Sequence, residues 1–185
     1  MIVQQVAKSH NDEYYTPDYA IEPLLKYLKP HSKIWCPFDT SQSGYFRLLR
    51  ESGHSVVCTH LDDGYDFFRL VEDGSVKGNP IQEFDYIISN PPYTKKTEVL
   101  EALFGLKIPF AMLIGVVGLF ESQRRYMMFK KHNFEIMYFN KRVSFYQDYA
   151  DKKAKFNPPF SSVYVCSGIL PKQIVFEEID KKVEK

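Results

Sequence analysis

The 185-residue chain is poor in the features that mark specialised protein classes. It has only three cysteines, Cys36, Cys58 and Cys166, far apart and without a C-x-x-C pair. That excludes a disulfide scaffold and a thiolate metal cluster. Each cysteine lies in an apolar run, which predicts buried reduced thiols and a cytoplasmic location. The five histidines have no zinc-like spacing, so no metal is expected. Long hydrophobic runs are also missing. The longest, Ile108 to Phe120, is interrupted by one proline and two glycines and is too short for a membrane span, so no membrane partner is expected. The opening Met1-Ile2-Val3-Gln4-Gln5 lacks a basic segment followed by an apolar one, and no secretory leader is expected. Net charge is only +1, so the overall balance names no partner.

What is present is the composition of a folded protein, 44% hydrophobic and 16% aromatic. At this length it predicts one sizeable core and a single domain over residues 1–185. Charge is spread unevenly. Residues 1–93 carry 8 Lys/Arg against 13 Asp/Glu, and residues 121–155 carry 9 against 4. An acidic first half and a basic later segment suit a small cationic cofactor at one place and a polyanion at another; ordinary solvated surface charge gives the same counts.

In chain order, Thr16 as a cap, Pro17 in the first turn and the stripe Ile21, Leu24, Leu25 and Leu28 predict a helix ending before Pro30. Lys33 to Cys36 reads as a buried strand, a loop follows over 37–44, a helix runs from Tyr45 to Glu51, and His54 to His60 is a second strand. This strand–helix–strand order is a βαβ unit of a parallel sheet. Residues 72–83 read as an exposed connection. Further strands are expected at 84–89, 110–117, 134–139 and 161–166, and helices at 95–106 and 123–131. Ile174-Val175-Phe176 is a short apolar run. The alternation predicts an α/β sandwich.

Everything is organised around Phe84-Asp85-Tyr86-Ile87-Ile88-Ser89-Asn90-Pro91-Pro92-Tyr93. An apolar run reads as a buried strand, and two prolines end it at once. Proline keeps the residue before it extended, which puts Asn90 at the strand's carboxyl tip, where open α/β sheets bind ligands. A polar amide and an aromatic ring on that turn suit a planar, amine-bearing group. A second Asn157-Pro158-Pro159-Phe160 follows a hydrophilic run and precedes a strand. It reads as loop near the substrate at most.

This constellation resembles the class I S-adenosylmethionine-dependent amino-methyltransferases, in particular the small phage and prophage DNA adenine-N6 methyltransferases. The match runs from Tyr15 to about Cys166. The resemblance implies a Rossmann-like α/β fold: a seven-stranded, mostly parallel sheet with helices on both faces and the last strand inserted antiparallel. It assigns catalysis to Asn90, Pro91, Pro92 and Tyr93. The Asn90 side-chain oxygen and the Pro91 carbonyl would accept hydrogen bonds from the amine N–H groups of adenine, and Tyr93 would stack on the extruded base. Transfer would be direct, resting on positioning and electrostatics.

The same resemblance implies S-adenosyl-L-methionine as cofactor. Its segments are matched here by Tyr15-Thr16-Pro17, by Pro37, Phe38, Asp39, Ser41 and Ser43, by His60 or Asp62 at the second strand's end, and by Asp66 and Phe67. The loop after the first strand departs from the family pattern. Cys36 stands where an acid is usual, Asp39 comes three residues later, and only one glycine, Gly44, is present. Thr16 serves equally as a plain helix cap.

On the substrate side, Arg124, Lys141, Arg142, Phe145 and Tyr146 combine charge and aromatic rings suited to phosphate contact and base stacking, and Ser161 and Ser162 could line a base pocket. A solvated helix face accounts for Arg124 equally well. DNA is the expected partner. RNA methylation, or a noncatalytic nucleic-acid-binding module on the same fold, are the alternatives.

Overall fold

Short runs of β-branched and aromatic residues, each closed by a polar or proline turn, become the strands of the molecule. The structure, a computed structural model, describes residues 15–147 and 155–181, with only the backbone described for Lys155 and Phe156. The polar lead-in, the hydrophilic residues 151–154 and the end of the charged tail lie outside the described residues.

The sheet contains β1 (Lys33–Cys36), β2 (Ser55–Cys58), β5 (Tyr86–Ser89), β6 (Phe110–Gly115), β7 (Glu135–Phe139), β10 (Ser162–Ser167) and β11 (Ile174–Glu177). Their spatial order is β11-β7-β10-β6-β5-β1-β2. All neighbours are parallel except β10, which is antiparallel to both β6 and β7. This is the Rossmann-like, mostly parallel seven-stranded sheet that the resemblance implies.

One detail is corrected. The inserted antiparallel strand is β10, not the last strand, because the apolar run at 174–176 is itself the strand β11 and pairs parallel to β7. The turn between them is built by Glu135. Its carboxylate accepts from three successive amides, those of Gly168 (2.8 Å), Ile169 (3.1 Å) and Leu170 (3.0 Å), and folds the chain back beside β7.

Helices cover both faces. On one, α1 (Asp18–Leu25) and α2 (Gly44–Glu51) set Tyr19, Ile21, Leu24, Tyr45 and Leu49 against Ile34, Tyr86, Ile88, Leu113 and Tyr164. On the other, α3 (Phe67–Asp73), α4 (Lys96–Leu106) and α5 (Gln123–Lys131) set Phe67, Leu100, Leu103, Phe104 and Phe129 against Trp35, Ile87, Phe110, Met112 and Val165. Strand residues alternate between the two clusters, as the pleat requires. β5 and β6 are buried along their whole length, which is why they read as continuous apolar runs.

Two further local expectations change. Thr16 does not cap α1; Pro17, with φ −71° and ψ 152°, occupies that position, no side chain caps the helix, and Thr16 is buried instead. Residues 72–83 are not simply an exposed connection. After α3 the chain makes a small antiparallel hairpin of β3 (Ser75–Val76) and β4 (Asn79–Pro80), and Val76 and Ile81 are buried under it. A second small pair, β8 (Phe145–Tyr146) with β9 (Lys155–Phe156), lies before β10. No helix among the described residues is long and apolar enough to cross a membrane.

Candidate functional site

The loop after β1 folds across the carboxyl tips of the sheet. Thr59 N donates to Cys36 O (3.0 Å), and Asp39 N donates in turn to Thr59 O (3.1 Å). Trp35 holds the same threonine from below, its indole N–H donating to Thr59 Oγ1 at 2.9 Å. The chain is thereby led inward, and Asp39 ends only 5% exposed. Ser89, the last residue of β5, donates its hydroxyl to Asp39 Oδ2 and accepts from Phe38 N at 3.3 Å. One serine thus ties the loop after β1 to the residue directly before Asn90. Burial pushes the Asp39 carboxyl up to about 6, opposed by the hydrogen bonds from Ser89 and Ser43 and by the charge of His60.

The rest of the loop builds the start of α2. Ser43 is buried and caps the helix, accepting from Phe46 N at 3.1 Å. Gly44 serves packing. A Cβ there would sit 3.0 Å from Asp18 Oδ1 and 3.1 Å from Thr16 O, so glycine lets α2 start this close to α1 without displacing them. Pro37 is buried and Phe38 half-buried, while Ser41 is exposed on the rim of a cavity of about 380 Å³ beside β2.

At the end of β2, His60 Nδ1 accepts from Asp62 N (3.2 Å) and caps the turn Leu61–Asp63, with Asp62 pointing into solvent. Asp66 caps α3 by accepting from Arg69 N at 3.0 Å. Phe67 is buried, its ring 5.6 Å from Trp35 and 5.0 Å from Phe38. It is therefore both core and a wall beneath the loop.

Asn90 leaves the carboxyl end of β5 half-buried, Pro91 is buried, and Tyr93 opens a single turn over Tyr93–Lys95 that runs into α4. The ring of Tyr93 faces Phe145 edge-on at 6.4 Å and Phe160 at 5.8 Å. Phe160 is the aromatic of the second Asn-Pro-Pro stretch, so that loop supplies a wall to the site. Its ring lies over Gly115, the last residue of β6, where a Cβ would come within 2.6 Å of it. Phe145 and Tyr146 are buried. Tyr15 bridges Tyr146 through both backbone bonds (3.1 and 2.9 Å), which brings the segment Tyr15-Thr16-Pro17 beside β8. Ser161 O accepts from Val116 N at 2.9 Å. Ser162 is buried, and its hydroxyl has no hydrogen-bond partner among the described residues.

The described basic side chains take different directions. Arg124 is bound by Glu101 of α4, with Nε to Oε1 at 2.7 Å, and by Glu98 at 3.6 Å. Arg125 turns inward, donating to Leu119 O (3.0 Å), Thr97 Oγ1 (2.7 Å) and Gly118 O, and clamps the loop after β6. Lys141 and Arg142 stay exposed on the turn before β8.

Sequence reasoning passed over the pair beneath the loop. Tyr45 and Tyr164 are buried, their hydroxyls 2.8 Å apart, and burial raises both phenols. A tyrosine at the first turn of an apolar-faced helix, with another inside a buried strand, was the available signal.

No protein-family model and no curated protein matches the chain. Among solved structures it is similar to a protein described as a predicted O-methyltransferase of Agrobacterium tumefaciens, with 11% identity, a TM-score of 0.43 and 84% of each chain covered. It is also similar to a precorrin-6y C5,15-methyltransferase of Geobacter metallireducens, with 10% identity and a TM-score of 0.42, over 84% of this chain and 92% of that one.

Proposed function

We propose that this chain is an S-adenosylmethionine-dependent methyltransferase that methylates the exocyclic N6 amine of adenine in DNA. One observation carries the reading: Ser89, the residue before the Asn90-Pro91-Pro92-Tyr93 tip, is hydrogen-bonded to the buried carboxylate of Asp39, so the loop after β1 and that tip are joined directly.

The residues fit the cofactor. Asp39 is a buried carboxylate with hydroxyl donors and, among the described residues, no lysine or arginine paired with it, and a ligand ammonium would supply the missing charge. The cofactor, when bound, supplies an electrophilic methyl group on a sulfonium. The chain does the remaining work by holding and orienting. Asn90 accepts a hydrogen bond from one amine N–H through its side-chain oxygen, and the Pro91 carbonyl accepts one from the other, which favours the pyramidal nitrogen that can react; on gaining the methyl the nitrogen loses one proton to solvent. Tyr93 stacks on the base, with Phe145 and Phe160 fixing the ring from its sides. The buried Ser162 hydroxyl can bond an edge of the base. Lys141 and Arg142 reach phosphates.

The test is transfer of labelled methyl from S-adenosylmethionine to duplex DNA, single-stranded DNA, RNA and free nucleotides. Label on adenine N6 of DNA is expected, with Asn90→Ala reducing the rate by about 10²–10³-fold, as losing one positioned transition-state hydrogen bond does. Label on RNA alone would sink the DNA assignment. Full activity of Asn90→Ala would sink the site.

A further inference from the structure

At one edge of the sheet, β11 is the last strand, and among the described residues nothing pairs with its outer side. Its inner side is fixed by Ile136 N donating to Gln173 O (2.7 Å) and Asn140 N donating to Glu177 O (3.1 Å). Odd-numbered residues therefore turn their backbone groups to β7, and Ile174 and Phe176 turn theirs outward. No proline, bulge or lysine interrupts Ile174–Glu177. Phe176 is 75% exposed, Ile174 50% and Tyr138 44%, and the Phe176 and Tyr138 rings meet edge-on at 6.0 Å. Such a group of large apolar side chains beside an open edge marks an interaction surface.

The sequence around it is self-complementary. Antiparallel pairing of two copies centred on Val175 sets Ile174 opposite Phe176 of the second copy, and Lys172 opposite Glu178 of the second copy. All four residues are exposed in the single chain. It is also a register in which the outward backbone groups of Ile174 and Phe176 face each other and exchange both N–H···O bonds. Shifting by two residues in either direction sets Lys172 against Phe176, or Glu178 against Ile174, and loses the charge match.

We propose that the chain forms a two-fold homodimer through β11, joining two seven-stranded sheets into one. The interface is isologous, as a symmetric pair requires. β5 lies four strands from β11, about 19 Å at the usual strand spacing. Because the joined strands run in opposite directions, the two Asn90 tips open at opposite ends of the combined sheet.

Light scattering after size exclusion tests this with the full chain at about 100 μM and on dilution, since dimer content follows concentration. The wild type is expected at twice the 21.7 kDa chain mass, returning to single-chain mass when diluted. Phe176→Lys and Lys172→Glu are each expected at single-chain mass with an unchanged far-UV circular dichroism spectrum. The double exchange Lys172→Glu with Glu178→Lys is expected to restore the dimer, and it decides the matter if Phe176→Lys fails to fold. A wild type at single-chain mass throughout, or a dimer indifferent to these changes, overturns the proposal. So does a single-chain wild type whose DNA retention falls with Phe176→Lys, which would give the face to nucleic acid.

Discussion

Asp39 concentrates the physical tension of the site. Burial pushes its carboxyl up to about 6 against an ordinary 3.8. The native state therefore holds more proton than the unfolded state between about pH 4 and 6, and this group's contribution to stability falls as pH rises through that window. A shift of this size corresponds to about 3 kcal/mol lost by neutral pH. Asp39→Asn removes the buried charge and keeps an acceptor for Ser89. It is expected to raise the melting temperature at pH 8 by about 2–6 °C, equivalent to 1–2 kcal/mol, while weakening cofactor binding. In the wild type, affinity for S-adenosylmethionine measured by calorimetry should rise as pH passes 6; in Asp39→Asn it should stay flat. A parallel pH dependence in the two proteins would remove Asp39 from the cofactor site.

At the scale of elements, the loops beyond the strands decide the shape of the site. Phe160 reaches Tyr93 only because β6 ends in Gly115. Gly115→Ala is expected to cost about 1–3 kcal/mol in urea unfolding, the usual penalty for overpacking. Adding Phe160→Ala should recover part of that loss, a coupling that a double-mutant cycle reads directly. Arg125 gives a second case. Replacing it with Met leaves Leu119 O, Gly118 O and Thr97 Oγ1 without their donor, and a loss of about 2–4 kcal/mol is expected. Arg124→Ala, whose partners are exposed carboxylates, should leave the unfolding midpoint nearly unchanged. Both arginines sit side by side in one basic stretch. Only the direction each side chain takes from α5 separates a clamp from a solvated ion pair.

At the scale of the whole molecule, the sole tryptophan lies under the candidate site, stacked on Phe67 and bonded to Thr59. Trp35 fluorescence therefore reports on the core cluster beneath the site, and far-UV circular dichroism reports on all of the chain. If the chain unfolds as one unit, the two urea transitions coincide, with a slope of about 1–3 kcal/mol per M or somewhat above. Separated midpoints would reveal two units.

The sequence by itself determined the strands β1, β2, β5, β6, β7 and β10, the helices α2, α4 and α5, and the place of Asn90. Strand burial is written as apolar runs, and a double proline ends a strand wherever it stands. Tertiary structure alone decided several features. Thr16 turned inward because the start of α1 is packed against α2. The run at 174–176 became an edge strand because Glu135 folds the preceding turn. The second Asn-Pro-Pro stretch, read as loop near the substrate at most, delivered Phe160 to Tyr93 across a glycine more than forty positions earlier in the chain. These are contacts between residues remote in sequence, and no local periodicity or propensity encodes which remote partner a side chain will meet.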